Sequence, residues 1–480
     1  MSGADWSAAS ASAMACAVRA GESSATQLVG ACLARIAATD RTVNAFTDVL
    51  AERALARARS LDSALACAEA ANAAALRALP LLGVPFAAKN LFDIAGIVTR
   101  AGSIIELSQP PARSDALLVR RLEEAGAVLV GALNMDEYAY GFTTENSHYG
   151  PVRNPHDATR IAGGSSGGSG AALAAGQVPL TLGSDTNGSI RVPASLCGVF
   201  GLKPTYGRLP RTGSYPFVHS LDVLGPLARS VTDLALAYDA MQGFDAHDAA
   251  CADRPAEPAL PHLESGTRGL RIAVLEGWFA DNAGAQARAA VARVARSLGA
   301  ERRLDLPGAA HARAAAFLIG NAEGGALHLP DLRTRAQDFE PLSRDRLLAG
   351  ALLPAAWVNQ AQRVRLRFAR EVARVFENVD VLLAPATPHP ATLIGSETME
   401  INGELLATRP NTGILTQPIS CIGLPVCVVP VWPAAAQAGY TVALPVGVQI
   451  IAAPWREDHV LRVAAELESC GAAVAPLARL

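Results

Sequence analysis

Helical and strand-like patterns of apolar residues alternate along the first part of the chain. Residues 5–80 are rich in Ala, Leu and Arg at helical spacing, and Ser24 precedes one apolar run, as a helix cap does. Residues 80–89 break this pattern with two prolines and then enter a short apolar run, which predicts a strand. A helical pattern over 116–125 is followed by a buried strand-like run over 127–131. This alternation predicts a layered α/β fold.

Both patterns continue to the end of the chain. Further helices are predicted over 170–176, 285–299 and 356–377, and further core strands over 178–183, 270–275, 379–385, 424–430 and 446–452. Residues 242–268, rich in Gly, Asp, Ala, Pro and His, are typical of a surface connection.

The sequence contains no internal repeat and no clear linker, so we expect a single domain over 1–480. Within it we expect an N-terminal helical region, a core with the Ser/Gly-rich segments, a helical subregion and a C-terminal part that completes the sheet. Their boundaries are 1–80, 81–240, 285–377 and 378–480, respectively.

The composition indicates a globular enzyme rather than a disordered protein, since 50% of the 480 residues are hydrophobic and 18% are charged. The net charge is −3, and no basic run suggests a nucleic-acid or anionic-membrane partner. The first 30 residues do not resemble a signal peptide, and no run is long enough for a membrane span. We therefore expect a cytoplasmic protein.

The cysteines and histidines do not form a metal-binding pattern. The eight cysteines are scattered with no Cys-x₂-Cys pair, and the nine histidines do not cluster. Cysteines in apolar contexts suit small core residues in a reducing cytosol. We expect no metal and no other cofactor.

Two Ser/Gly-rich segments carry the candidate chemistry. Residues 163–168 include Ser165 and Ser166, and Ser189 follows 24 residues after Ser165, a separation long enough for a helix and a strand between them. Small residues before Ser189 allow a tight turn whose N–H groups could hold an oxyanion. Alone, the second segment could be an ordinary turn, and the first could be a linker or a phosphate-binding loop, although it lacks the Walker lysine.

Lys89 supplies the base that such a serine needs. A serine hydroxyl is a poor nucleophile until a base removes its proton, and burial lowers the pKa of a lysine enough for it to serve. Taken in isolation, Lys89 is better interpreted as a surface lysine at a strand end. With both serine segments, it predicts a serine hydrolase that needs neither histidine nor metal.

These residues, with 134–137 and 201–205, resemble the amidase signature family of amide hydrolases, and the similarity spans almost the whole chain. The resemblance implies a mixed, twisted central β-sheet covered by α-helices on both faces. It implies that Ser189 is the acylated nucleophile, that Ser165 relays protons beside a cis peptide bond, and that Lys89 is the base. Ser166, Asp185 and Arg191 would support the loops, and the oxyanion hole would comprise Thr186, Asn187, Gly188 and Ser189. Most relatives carry Gly at the position of Asn187; asparagine tolerates unusual backbone angles, so the hole can persist.

Segments 134–146, 184–197, 213–220 and 451–455 are similar to a branch of this family that hydrolyses 1-carboxybiuret in cyanuric acid and s-triazine breakdown. The resemblance implies ammonia release from a small carboxylated urea derivative. It also implies a small helical accessory subunit that resembles the amidotransferase C subunit. The expected assembly is a homodimer or a heterotetramer. The substrate carboxylate requires cationic or multiple hydrogen-bond donors. The candidates for substrate contact are Tyr138, Tyr140, Asn187, Tyr215 and His219, although the two first tyrosines could be core residues and His219 a structural histidine.

Three other functions fit the same residues. The chain could be the glutaminase half of a tRNA-dependent amidotransferase, which shares the relay but requires an RNA-binding partner and an ammonia channel. It could be a general aryl-, fatty- or other small-amide hydrolase. It could also be a scaffold that has lost catalysis, which labelling with a serine-directed phosphonate would distinguish from an active enzyme.

Overall fold

A central mixed sheet of eleven strands organises the computed structural model, which describes residues 6–67, 69–435, 440 and 442–480. The strand order in this sheet is β1-β3-β2-β8-β10-β9-β16-β17-β13-β11-β12. The strands are β1 (Phe46–Val49), β2 (Pro85–Lys89), β3 (Val128–Leu133), β4 (Glu145–Asn146), β5 (Gly150–Pro151), β6 (Arg153–Asn154), β7 (Asp157–Ile161), β8 (Leu180–Asp185), β9 (Phe200–Lys203), β10 (Val223–Ala228), β11 (Ile272–Leu275), β12 (Arg302–Leu304), β13 (Val381–Pro385), β14 (Thr398–Ile401), β15 (Glu404–Ala407), β16 (Val426–Val431) and β17 (Val446–Ala452).

Helices lie against this sheet and in the connections between its strands. They are α1 (Ala11–Ala20), α2 (Ala25–Val43), α3 (Ala51–Cys67), α4 (Ala70–Arg77), α5 (Leu117–Glu124), α6 (Gly167–Ala174), α7 (Arg191–Cys197), α8 (Val231–Met241), α9 (Trp278–Asp281), α10 (Ala285–Ser297), α11 (Ala309–Leu327), α12 (Leu329–Arg335), α13 (Pro341–Ala351), α14 (Ala355–Val375), α15 (Thr408–Asn411), α16 (Gln417–Cys421) and α17 (Glu457–Ser469).

The middle of the sheet is buried on both faces. Every residue of β2, β3, β8, β16 and β17 is buried, which explains why these strands do not alternate between apolar and exposed polar residues. The predicted α/β class, with helices covering a mixed sheet, is confirmed. Among the described residues, no helix is both long and apolar enough to cross a membrane.

Local sequence signals locate seven of the eleven strands of the central sheet. The helix predicted to begin at Ser24 does so, and the side chains of Ser24 and Gln27 form a reciprocal capping box. Four strands of the central sheet were not predicted: β9 and β10 in its middle, and the short edge strands β1 and β12. β1 lies within the predicted N-terminal helical region and β12 within the predicted helical subregion, and each pairs with only one neighbouring strand.

The central sheet brings Lys89 close to the segment that leads to Ser189. Strands β2 and β8 are parallel neighbours, so Lys89 at the end of β2 and Asp185 at the end of β8 lie at the same edge. The Ser165 loop and α6 connect into β8, and α7 begins just after Ser189. Carboxyl ends of parallel strands are a common place for a site in α/β folds.

Candidate active site

Lys89 is completely buried and hydrogen-bonded to two serines. Its Nζ atom donates to Ser165 Oγ at 2.7 Å and to Ser184 Oγ at 2.9 Å. No carboxylate in the described part of the chain lies within ion-pair distance of this amine. Burial lowers the pKa of Lys89 to about 7, although the charges of Asp136, Asp222 and Asp185 oppose this shift.

The Ser165 loop is fixed by hydrogen bonds on both sides. The Gly164–Ser165 peptide bond is cis, and the Ser165 carbonyl accepts the Asp136 N–H at 3.2 Å. Ser166 Oγ donates to the Ser184 carbonyl at 3.1 Å and accepts the Ser184 N–H. The Ser166 N–H donates to the Ser189 carbonyl at 3.3 Å. Both serine segments and β8 are thereby joined directly.

The turn before Ser189 depends on Gly188. Its φ is +139°, and a Cβ there would overlap Thr416 Oγ1, so glycine is required for both conformation and space. Asn187 does not have a positive φ, so the unusual angle falls on the glycine and not on the asparagine. Thr416 Oγ1 donates to the Asn187 carbonyl at 2.7 Å, and Thr186 Oγ1 donates to Asp222 Oδ1 at 2.6 Å.

Main-chain donors are available at this turn. Within the described ranges, no acceptor takes a hydrogen bond from the N–H groups of Thr186, Asn187, Gly188 and Ser189. Unpaired N–H groups beside a serine hydroxyl suit an oxyanion hole, because they can stabilise negative charge on a carbonyl oxygen.

Asp185 and Arg191 form a completely buried ion pair behind the turn. Arg191 Nε and NH2 donate to the two Asp185 oxygens, each at 2.9 Å, and Asp185 also accepts the N–H groups of Ile190 and Arg191. Burial alone would raise the pKa of Asp185, but the guanidinium holds it below its usual range. Arg191 also donates to Gln449 Oε1 and the Thr416 carbonyl, so this pair ties the Ser189 turn to the far strands of the sheet.

A cleft opens in front of Ser189. Its polar lining comprises Tyr140, Thr186, Asn187, Ser189, Asn321, Arg346 and Gln417. Its apolar walls include Phe142, Phe217 and Phe317. A cleft of this kind, apolar with a few convergent polar groups, is typical of a small-molecule site.

Arg346 is the cationic group of this cleft. It projects from α13 with its guanidinium 4.1 Å from the centre of the Tyr140 ring, and it forms no ion pair with a described residue. Burial lowers its pKa, yet a guanidinium stays charged in proteins. A half-buried cation that has no ion-pair partner among the described residues and lines the same cleft as a nucleophile can bind a substrate anion.

The Amidase family profile matches residues 27–461. The chain belongs to the amidase family. It is therefore an enzyme that hydrolyses linear amide C–N bonds, and the resemblance to amidase signature enzymes is confirmed.

Two curated relatives and one solved structure place this amidase more finely. It is 57% identical over 456 residues to the AtzE subunit of 1-carboxybiuret hydrolase from Pseudomonas sp. (strain ADP), covering 95% of this chain and 97% of the relative. It is 39% identical over 471 residues to a glutamyl-tRNA(Gln) amidotransferase subunit from Roseiflexus sp. (strain RS-1), covering 92% of each. A solved structure of a vestigial protein complex, described as revealing the evolutionary origins of an s-triazine catabolic enzyme, matches with a TM-score of 0.92 and 55% identity. That match covers 97% of this chain and 99% of the other.

In the amidase structure, the residues that were predicted to contact the substrate lie at different locations. Tyr140 lines the Ser189 cleft, and its hydroxyl bonds to Asn321 Oδ1. The hydroxyls of Tyr138 and Tyr215 donate instead to Glu106 Oε1, at 2.9 and 3.1 Å, in an aromatic cluster outside the cleft lining. His219 is exposed and lines a separate surface cleft.

Arg346 was not identified from the sequence. It lies within the predicted helical subregion, far from both serine segments, and no local motif marks it. The rarity of lysine in this sequence also points to Lys89. Lys89 and Lys203 are the only lysines among the 41 lysine and arginine residues, and both are completely buried.

Around the site, no group of three described His, Cys, Asp or Glu residues could hold a metal ion.

The buried ion pair behind Ser189 allows a stability prediction. Arg191→Met leaves the Asp185 carboxylate buried without its partner, so we expect the free energy of unfolding to fall by about 3–5 kcal/mol. The midpoint of urea unfolding measures this loss. Arg367→Met, which removes an exposed arginine on α14, is the control and should leave the midpoint nearly unchanged. Equal midpoints for both variants would show that the pair does not stabilise the turn.

Proposed function

We propose that this amidase hydrolyses 1-carboxybiuret, or a closely related carboxylated urea derivative, and releases ammonia. Lys89, Ser165 and Ser189 form the proton relay, and Ser189 becomes acylated. The observation that carries this proposal is the buried Lys89 amine, 2.7 Å from Ser165 Oγ, together with a cleft that Ser189 and Arg346 line. The identity of 57% to a 1-carboxybiuret hydrolase subunit supports the choice of substrate.

The relay begins with a neutral Lys89. This amine takes the proton of Ser165 Oγ while Ser165 takes the proton of Ser189 Oγ. Ser189 then attacks the terminal carbamoyl carbon, and the N–H groups of residues 186–189 stabilise the oxyanion. Ser165 returns a proton to the leaving nitrogen, ammonia departs, and water hydrolyses the acyl-enzyme.

The cleft has groups that match both ends of such a substrate. Arg346 would bind the carboxylate, because it is a charged donor without an ion-pair partner among the described residues. Asn187 Oδ1 is buried beside Ser189 and accepts no hydrogen bond within the described ranges. An N–H of a urea-type substrate would satisfy this acceptor, which would otherwise cost free energy.

The proposal extends to a partner and a location. The similar solved structure is that of a protein complex, and on that basis we propose that a small helical accessory subunit binds this chain. We also propose that the chain forms either a homodimer or, together with that subunit, a heterotetramer. All eight cysteines are free thiols, which suits a reducing cytoplasm.

The second candidate is the glutaminase role in a tRNA-dependent amidotransferase, which the 39% identity to one component of such an enzyme favours. A panel of amides separates the two functions. Ammonia release should be fastest from 1-carboxybiuret and slow from glutamine, biuret, allophanate and aryl amides, with or without the accessory subunit. Preference for glutamine would favour the amidotransferase role instead.

Removing either end of the relay should abolish turnover. We expect Ser189→Ala and Lys89→Met each to reduce kcat by at least about 10⁴-fold, as for other nucleophile–base units. Since the relay acts as a unit, the double variant should be no slower than the worse single variant. Ammonia release measures activity, and thermal unfolding verifies that each variant folds. Near-normal activity in Ser189→Ala would refute the assignment.

The pH dependence should report the protonation of Lys89. Protonated Lys89 cannot accept a proton, and its neutral fraction grows as the pH rises through about 7. We therefore expect kcat/KM to rise with pH and to level off above about pH 7 to 8. A profile that is flat from pH 5 to 9, or that falls over this range, is inconsistent with a lysine base.

Arg346 should determine the preference for a carboxylated substrate. Arg346→Gln removes the cation, so we expect kcat/KM for 1-carboxybiuret to fall about 10- to 100-fold, the value of one or two charged hydrogen bonds. The rate with biuret, which has no carboxylate, should change much less. Arg344→Gln is a matched control on the same helix, since Arg344 pairs with Asp345 and is not in the cleft lining. Equal losses for both substrates would contradict a carboxylate-binding role.

A further inference from the structure

One buried arginine contacts groups on both sides of the site. Arg409 lies on α15, with only 11% of its side chain exposed. Its NH2 group is 3.1 Å from Asp136 Oδ1 and 3.2 Å from Glu340 Oε2, and both carboxylates are completely buried. The same NH2 group donates to the Tyr140 carbonyl at 3.2 Å.

On one side, Asp136 supports the Ser165 loop. Its N–H donates to the Ser165 carbonyl, and its Oδ2 accepts the Thr144 N–H at 3.0 Å. A Cβ on Gly164 would overlap this same Oδ2, so the carboxylate lies directly against the loop. Asp136 is also the strongest of the negative charges that oppose a neutral Lys89.

On the other side, Glu340 fixes the start of the helix that carries Arg346. Glu340 immediately precedes α13, and its Oε1 accepts the Ser147 N–H at 3.2 Å. Its own N–H donates to Glu137 Oε2, which also accepts the Ser343 hydroxyl. The first turn of α13 is therefore attached to the loop that follows β3, and Arg346 extends from the same helix into the cleft.

We infer that Arg409 is a positioning residue that couples the two halves of the site. Its guanidinium balances Asp136 beneath the proton relay and holds Glu340 at the base of the Arg346 helix. This inference rests on the proposed function, in which Lys89 is the base and Arg346 binds the substrate carboxylate.

Of the three carboxylates near Lys89, only that of Asp136 depends on Arg409 for its charge balance. Three carboxylates face Lys89, those of Asp136, Asp185 and Asp222. Arg191 pairs with Asp185, and Asp222 accepts hydrogen bonds from Thr186 and from two main-chain N–H groups. Asp136 has Arg409 as its only ion-pair partner among the described residues.

The other groups near Arg409 do not replace it. The charges that act on Arg409 are those of Asp136, Glu340 and, more weakly, Glu145, while Arg346 is the neighbouring cation. Glu137 is engaged with His148 and Ser343 on the far side of Glu340. Loss of Arg409 would thus leave Asp136 unbalanced and make protonated Lys89 more favourable.

The arginine is not optimally placed for a purely structural role. Its Nε and NH1 atoms are buried and have no hydrogen-bond partner in the described part of the chain. Replacing Arg409 alone by an apolar side chain would leave Asp136 and Glu340 buried without this counter-charge, so the positive charge is needed although two of its nitrogens have no partner. A function for the charge itself explains why a guanidinium occupies the position.

The test uses Arg409→Gln and Arg409→Lys in the full-length chain, with two readouts. The first is the rate of Ser189 labelling by a serine-directed phosphonate as a function of pH. For Arg409→Gln we expect labelling at pH 7 to be about fivefold slower, with recovery at pH 9, since we expect the pKa of Lys89 to be about one unit higher in this variant than in the wild type. Arg409→Lys keeps the charge and should restore most of the labelling rate at pH 7.

The second readout is KM for 1-carboxybiuret against KM for biuret. A displaced Arg346 helix should raise KM for 1-carboxybiuret about tenfold in Arg409→Gln and leave KM for biuret nearly unchanged. Arg53→Gln is the matched control, because Arg53 also bridges two carboxylates, those of Asp115 and Glu123, away from the site. It should change neither readout.

The outcomes separate this inference from the proposed function. If wild-type labelling rises with pH and wild type favours 1-carboxybiuret, but Arg409→Gln behaves like Arg53→Gln, the coupling role is wrong and the proposed function stands. Simple destabilisation would reduce the amount of labelled protein without moving the pH midpoint, which also contradicts the inference. If wild type itself shows neither the pH-dependent labelling nor the carboxylate preference, both the proposed function and this inference fail.

Discussion

The hydrogen bond from a completely buried amine to a serine hydroxyl is the contact on which the site depends. Lys89 reaches Ser165 because β2 and β8 run parallel as neighbours and end at the same edge of the sheet. Burial removes the amine from water and lowers its pKa to about 7, so the same packing that forms the sheet also prepares a base. The only other lysine, Lys203, is buried as well, whereas all other basic residues are arginines. Arginine could not replace Lys89 in this role, since a guanidinium does not lose its proton.

Within the part of the chain that the structure describes, the charges around Lys89 leave it without a counter-ion of its own. Asp185 is paired with Arg191, and Asp136 is paired with Arg409. Each pair also has a mechanical role, because the first ties the Ser189 turn to the far strands and the second lies against the Ser165 loop. The two ion pairs therefore determine both the positions of the serines and the electrostatic field at the Lys89 amine. A substitution that breaks either pair changes both the position of a serine and the field at the amine.

The sequence was most informative where the interacting residues belong to short, glycine-rich segments. Ser165, Ser166, Asp185, Ser189 and Arg191 lie within one stretch of chain, and Lys89 ends a recognisable strand, so spacing and resemblance brought them together. Arg346 and Arg409 come from helices much later in the chain and reach the site only through tertiary packing, which no local pattern records. The edge strands β1 and β12 were missed for a related reason: three- or four-residue strands at a sheet edge carry little periodicity. Tyr138 and Tyr215 show the opposite case. They lie near the serine motifs in the sequence, but in the structure they are not part of the Ser189 cleft lining.

The protonation state of Lys89 can be measured directly, because the chain contains only two lysines. Protein made with lysine enriched in carbon-13 at Cε should give two side-chain signals, and Lys89→Met assigns one of them. We expect the Lys89 signal to titrate with a midpoint near pH 7 and to change when a phosphonate occupies Ser189. A Lys89 amine that remains protonated to pH 9 or above would contradict the account, since a charged ammonium cannot begin the relay.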